Sequence, residues 1–266
     1  FVATPAHAQM RVDARIQMSS GSCAGCDLSN KSMNGVRFNN ANLSGSLFNN
    51  SNLSGGHFDG SDLSGAHFRK ALMYRVEGEG VKLPRAMMTD ATLTEANFPN
   101  ANVSQVDFSR ADLSRATFTD SDFRRARLDN ANLSGANLIG GQFQDASLPG
   151  TILTDANLSL ADFSGADLST SQGLKQAQLD VACGDMNTRL PVGLTLRYCD
   201  GAPMQHVAGN HGTMSDRMQA AVGRIDRAIT DVEALLADTP EADTNMRRSL
   251  ERIHADLVQS HQTLQR

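Results

Sequence analysis

The chain has 266 residues, 40% hydrophobic but only 5% aromatic with no tryptophan, and carries a formal net charge of -5 and a pI near 5.8. That balance excludes the strongly basic surface of a general nucleic-acid binder and the charge-rich, apolar-poor composition of a disordered chain. No apolar run approaches the ~20 residues needed to cross a bilayer, so no segment reads as a transmembrane helix.

In chain order, residues 1–22 come first. Phe1 to Gln9 (FVATPAHAQ) read as the end of a secretory signal peptide, with Ala6 and Ala8 as the small residues of the cleavage site and Gln9 as the first mature residue. Val12, Ala14, Ile16 and Met18 then alternate with Arg11, Asp13, Arg15 and Gln17, a period of two that predicts an N-terminal capping strand. Four cysteines fall in two local pairs, Cys23 with Cys26 and Cys183 with Cys199, which suits an oxidising compartment. The expected address is therefore periplasmic or secreted.

A five-residue sentence dominates 23–170. Ala41-Asn42-Leu43-Ser44-Gly45, Ser61-Asp62-Leu63-Ser64-Gly65, Ala111-Asp112-Leu113-Ser114-Arg115 and Ala131-Asn132-Leu133-Ser134-Gly135 are copies of it. Its central large residue recurs in one register through Leu28, Phe38, Phe48, Phe58, Phe68, Leu93, Phe98, Phe108, Leu113, Phe118, Phe123, Leu133, Leu153, Phe163 and Leu168. A period of five fits neither the 3.6 of a helix nor the 2.0 of a strand, so the chain must turn once per repeat. One inward large and one inward small residue per repeat, with Asn, Asp, Ser and Gly elsewhere, describes short strand pieces joined by turns that tolerate left-handed backbone. Each buried Leu or Phe contributes roughly 1.5–3 kcal/mol, enough for a filled core at this modest hydrophobicity. One repeat, Val76-Glu77-Gly78-Glu79-Gly80, puts Gly78 where the series Phe38, Phe58, Phe98, Phe118 calls for a ring, and predicts a bulge whose hole Tyr74 or Val81 fills.

These repeats resemble the pentapeptide-repeat family. The resemblance implies a mainly β fold, a right-handed quadrilateral β-helix with four repeats, twenty residues, per coil. On that geometry the two cysteine pairs lie about seven coils apart, roughly 34 Å at ~4.8 Å per coil, far beyond the reach of a disulfide. The expected bridges are therefore local, Cys23–Cys26 and Cys183–Cys199. The family's best-known members resemble duplex DNA in shape and charge and protect DNA gyrase from quinolones.

Beyond the repeats, 171–200 reads as a cap holding the second cysteine pair, with a short helix over 174–182, and resembles the tail present after the repeats in some bacterial members of the family. A linker rich in Gly, His and Pro spans 201–213, and 214–266 is an α-helical hairpin. Its first helix carries Met218, Val222, Ile225, Ile229 and Val232 at three- and four-residue spacing; Thr239-Pro240-Glu241 starts the second, whose stripe includes Leu250, Ile253 and Leu257. Two seams of this kind bury little by themselves, which predicts a homodimer through the helices, with docking on a face of the chain's own repeats as the alternative.

The candidates for chemistry have plainer explanations. His57 and His67 are half a coil apart, His254 and His261 are two helical turns apart, and the Cys23-x-x-Cys26 motif has no second thiol pair within reach. Asp62, Asp112 and Asp162 recur as repeat grammar rather than as paired catalytic carboxylates. Arg110, Arg115, Arg124, Arg125 and Arg127 read as a solvated, salt-bridged face, with a partner patch as the alternative. The sequence thus implies no catalytic residue, cofactor or metal. It reads as a non-enzymatic exported scaffold or protein-interaction module whose partner it does not name. The alternative is a DNA mimic acting on an enzyme such as gyrase, which would need a cytosolic location and a predominantly acidic face.

Overall fold

The computed structural model describes residues 21–199 together with 229, 232, 233, 236, 250–255, 258, 259 and 262. The expected leader and capping strand of 1–20 and the linker of 201–213 lie outside the described residues. The chain divides into two compact units, Phe1–Gly209 and Asn210–Arg266.

In the first unit every described repeat performs the same steps. Residues one and three of the unit point inward, residue two points out, and residues four and five turn the chain. In the repeat of Ala41 and Leu43, both inward side chains are at most 1% exposed. The turn closes by a hydrogen bond from the next repeat, Ser46 N–H to Leu43 O at 3.1 Å, and its last residue, Gly45, sits at φ 65°. Every fifth residue from 25 to 165 has positive φ, including Lys70, Arg75, Arg85, Glu95 and Leu160, which gain nothing from it locally.

What imposes that conformation is the neighbouring coil. Outward residues pair in parallel with those twenty positions on, Ser22 with Asn42, Asp27 with Leu47, Ser32 with Asn52 and Arg37 with His57, and so on to Ile152 with Gln172. Four bridged segments therefore make one coil of a β-helical solenoid. Leu43 N–H donates to Asp62 O at 2.7 Å and Asp62 N–H to Ala41 O at 2.9 Å, while the turn residue Gly45 donates to Ser64 O at 2.8 Å. Backbone groups that a lone five-residue turn would leave to solvent are thus paired between coils.

Residues twenty apart stack inside. Phe48 lies on Phe68 with ring centroids 4.8 Å apart and planes within 3°, and Phe123, Phe143 and Phe163 form a continuous stack at 4.5 and 4.8 Å. Phe38 meets Phe58 and Phe98 meets Phe118 in tilted pairs. Where the small inward residue is Ser or Thr, its hydroxyl donates to a carbonyl, in the coil below for Ser46 to Cys23 O at 2.7 Å, Ser121 to Phe98 O at 2.9 Å and Thr151 to Leu128 O at 2.7 Å, and in its own coil for Ser51 to Phe48 O at 2.6 Å. These hydroxyls are buried yet satisfied.

Gly78 corrects the expectation of a bulge. Its repeat stays in register, with Glu77 bridging His57 and Asn97 and Gly78 N–H donating to Asn97 O at 2.9 Å. The space belongs to Phe98 of the next coil, since a methyl group on Gly78 would lie 2.7 Å from Phe98 Cδ1 and Cε1. Val81 is close by, but Tyr74 points outward, 38% exposed.

The cap also differs from expectation. The helix α1 is a single turn, Gln176–Leu179, shorter than the helix expected over 174–182. The open edge of the last coil takes the rest of that segment: Leu160 N–H donates to Val181 O at 2.7 Å and Phe163 N–H to Cys183 O at 2.8 Å. Pairing with a ready-made edge outweighs helix propensity in so short a segment. Strand β1, Cys183–Gly184, then pairs in parallel with β2, Arg197–Tyr198. Gln178 donates to Leu153 O and Ala156 O at 2.9 Å, and Thr188 to Phe163 O at 2.9 Å, so side chains satisfy carbonyls that no further coil could. Leu179, Ala182 and Leu196 close the core over them.

In the second unit the described residues are helical. Val232 is buried, Ile229 and Leu250 are half-buried, Ile253 is 48% exposed, and His254 Nε2 lies 3.1 Å from Glu233 Oε1. Met218, Val222, Ile225 and Leu257 lie outside the described residues.

Two substitutions test this packing. Phe118→Ala removes a fully buried ring and should cost about 3–5 kcal/mol, whereas Asn97→Ala on the exposed side should stay within about 0.5 kcal/mol, both read by denaturant unfolding. Gly78→Ala should cost about 1–3 kcal/mol through overpacking, and adding Phe98→Leu should recover part of that loss; a neutral Gly78→Ala would contradict the filled site.

Candidate interaction surface

With every fifth residue from 28 to 168 buried, the solenoid meets other molecules through its outward positions and corners. Two rules govern those positions. First, an outward Asn or Asp accepts the N–H of the residue two further on, as Asn42 does from Ser44 at 3.2 Å, Asp112 from Ser114 at 3.0 Å and Asn132 from Ser134 at 3.1 Å. This side-chain turn explains the Asx-x-Ser grammar of the repeats.

Second, charges at the corners pair across one coil. Arg110 grips Asp90 with two bonds at 2.7 and 2.9 Å, Arg75 and Arg115 hold Glu95 from below and above at 2.7 and 3.0 Å, and Arg125 faces Asp145 at 3.7 Å. Arg124 pairs with Asp122 at 2.7 Å within its own turn, and Arg127 sits between Asp107 at 3.6 Å and Asp129 at 3.1 Å. The five arginines that the sequence groups together are thus dealt to three corner columns and one outward position, each with an acidic partner. Proximity in sequence could not reveal this for Arg110, Arg115 and Arg125, whose partners lie twenty residues away.

The carboxylates feel these bonds. The Ser64 hydroxyl holds the Asp62 carboxyl below its ordinary value, with the Ser64 N–H and Lys82 adding to the effect. Burial pushes the Asp112 carboxyl up, but donors from Ser114, Thr94 and Asn132 outweigh it and leave the group lowered. At Asp122, burial is likewise overcome by Arg124.

The cysteines and histidines take structural places. Cys23 and Cys26 form a disulfide with Cα atoms 5.4 Å apart, and Cys183 and Cys199 another at 4.8 Å. Asp162 lies beside the second, its Oδ1 3.1 Å from Cys199 Sγ, and the three ligand atoms fall within 4.8 Å of one another, but both sulfurs are committed to the bridge. His57 faces Glu77 at 2.9 Å, while His67 stands in a different outward column, between Leu47 and Met87.

One departure from the repeat grammar is not anticipated from sequence. From His67 to Asn97 no outward residue makes the side-chain turn among the described residues, and Leu72 and Met87 occupy its place at 47% and 45% exposure. The signal was available as an apolar residue where the grammar asks for Asx, in Ala71-Leu72-Met73 and Ala86-Met87-Met88.

A family model described as pentapeptide repeats matches the chain in eight copies, over 22–55, 79–110, 107–141 and 131–171. Among solved structures the chain is similar to HetL, a pentapeptide repeat protein involved in heterocyst differentiation regulation in the cyanobacterium Nostoc sp. strain PCC 7120, at 24% identity over 69% of this chain and 87% of that one, with a TM-score of 0.42. It is also similar to QnrB1, a plasmid-mediated fluoroquinolone resistance protein, at 18% identity over 64% and 90% of the two chains with a TM-score of 0.30. A pentapeptide repeat protein of the Arabidopsis thaliana thylakoid lumen shares 28% identity over 55% and 80%, with a TM-score of 0.15. A comparison with curated proteins returned no match.

Because the lowered carboxyl values lie beneath the unfolded value of about 3.9, their stabilisation is complete above that pH and is lost as pH falls through the folded values. The thermal midpoint should accordingly hold above about pH 5 and fall below about pH 4. Asp112→Asn, which keeps the Oδ1 acceptor but removes the charge, should show a smaller acid loss; an unchanged acid profile would show that Asp112 contributes nothing to it.

Proposed function

The chain belongs to the pentapeptide-repeat family, whose model matches 22–55 and 79–171, and on that premise we propose that it is a non-enzymatic exported scaffold, a right-handed, four-sided solenoid that binds protein through its faces and self-associates through its C-terminal helices. One observation carries the reading: the inward ladder is occupied throughout, so the outward positions are where the solenoid offers chemistry. The disulfides at both ends of the repeats support an oxidising compartment. Self-association rests on the apolar spacing of the helices and on the 48% exposure of Ile253.

The gyrase-protector alternative takes its support from the family and from the net charge of -5. Against it stand the corner ladders, in which Arg75, Arg110, Arg115 and Arg125 break any continuous acidic face, and the disulfides, which a reducing cytosol would not favour.

Fractionation of cells making the native protein, with thiol labelling before and after reduction, tests the address: the scaffold reading expects a non-cytosolic chain with no free thiol, and a cytosolic chain with labelled cysteines would sink it. Light scattering tests assembly, with twice the chain mass expected for the full protein and one chain mass for a version ending at Asp200.

A further inference from the structure

The coil of 61–80 and the start of the next break the surface rules together. At the corner between two faces stand Arg69 and Lys70, both exposed. Leu72 comes next on one face, and Met87, bridged to His67, lies on the other. Arg85, also exposed, forms the opposite corner of the Met87 face, and Tyr74, with the Arg75 guanidinium 4.8 Å from its ring, ends the Leu72 face.

Tyr74 donates to Glu95 of the next coil at 3.1 Å, as Arg75 does, but the side chains of Arg69, Lys70, Leu72, Arg85 and Met87 make no hydrogen bond or ion pair to the coil among the described residues. Leu72 and Met87 cannot accept the N–H that an Asn would accept there, and Lys70 and Arg85 hold positive φ that Gly or Asn would hold with less strain. Arg69, Lys70 and Arg85 make no ion pair among the described residues. Asp90, the nearest acid in the Lys70 column, gives both carboxylate oxygens to Arg110 and feels Arg69 and Lys70 only at a distance. Three cations and two long apolar side chains therefore face solvent together on a stretch about two coils, roughly 10 Å, wide.

That width fits one extended or helical segment of another chain. A broad anionic plane fits less well, because the Lys70 corner turns acidic one coil on at Asp90, and the two faces do so at Asp107, one coil beyond Met87, and at Asp112, two coils beyond Leu72. Charge complementarity then fixes the sign of the occupant.

We propose that the edge formed by Arg69, Lys70, Leu72, Tyr74, Arg85 and Met87 is the docking site for an acidic peptide segment, carrying apolar anchors, of another protein. This rests on the scaffold reading and names its partner chemistry. The cations set approach and orientation, while Leu72 and Met87 accept the partner's apolar side chains and shed water.

Random peptides about twelve residues long, displayed on phage and selected on the immobilised full chain at near-physiological ionic strength, test the site. The expected winners are rich in Asp and Glu interleaved with Leu, Ile or Phe, and a synthetic winner should bind R69E/K70E at least about ten-fold more weakly. L72S/M87S should lose a similar factor and the control R124E/R125E should not, while R69E/K70E and L72S/M87S should keep the parental thermal midpoint; Glu95 at φ 59° shows that Glu fits the turn position of Lys70. Winners without an acidic excess, or binding R69E/K70E as tightly as the parent, overturn the proposal. So does an absence of winners coupled with flotation on phosphatidylglycerol-containing vesicles that R69E/K70E abolishes, which would assign the edge to a membrane. Winners that map to another face overturn this site while leaving the scaffold reading intact, and a cytosolic, reduced chain removes the scaffold reading whatever the selection returns.

Discussion

The hydrogen bond between one coil and the next is the constraint on which everything else depends. An outward residue donates downward and the inward residue after it donates upward, as Asp62 to Ala41 and Leu63 to Lys82. Because pairing is satisfied only at an offset of twenty, each coil must return the chain to the same azimuth. Four turns per coil, a left-handed residue in each and one large inward side chain per segment are the means by which that return is made. A residue such as Arg115 or Leu160 holds a backbone conformation that its own side chain disfavours because the coil beside it leaves no other.

The same offset organises the side chains. Rings stack on rings and hydroxyls reach carbonyls in the coil below. Carboxylates at the corners are held by guanidinium groups above or below them, so that Glu95 serves two arginines at once. Basic residues therefore appear on the surface mostly as halves of ladders. Surface pairs of this kind do little for affinity toward an outside partner, since their charge is already answered. Arg69, Lys70 and Arg85, exposed and without an ion pair among the described residues, stand out for that reason.

The ladder and its period were legible in the sequence because inward and outward positions differ in kind, Leu or Phe against Asn, Asp or Ser, and repeat dozens of times in effect as a single measurement. What a single position does could not be read when the answer lay one coil away. Gly78 reads as a gap until Phe98 is placed over it, and the salt-bridged face expected of the arginines acquires its particular partners, twenty residues off for Arg110, Arg115 and Arg125, only when the coils are stacked. The helix expected over 174–182 is cut short for a related reason: an unpaired coil edge claims Val181 and Cys183. The edge around Leu72 and Met87 was visible as a lapse in grammar, yet its cations acquire meaning only when the corner that joins the two faces is known.

The drift of register in the cap has a consequence for the solenoid as a polymer. Through the repeats the pairing offset is constant, but Asp162 meets Cys183 and Asp167 meets Arg189, so successive contacts slip by one and then by two residues. A constant offset is a rule for indefinite propagation: any coil end presents the template for another, whether from its own chain or from a second molecule. A drifting offset cannot be copied, because the next strand would find donors and acceptors out of phase, and Gln178 already occupies the Ala156 carbonyl it would need. The cap thus acts as a chain terminator written into hydrogen-bond spacing, fixing the length of a structure whose repeating unit contains no information about when to stop.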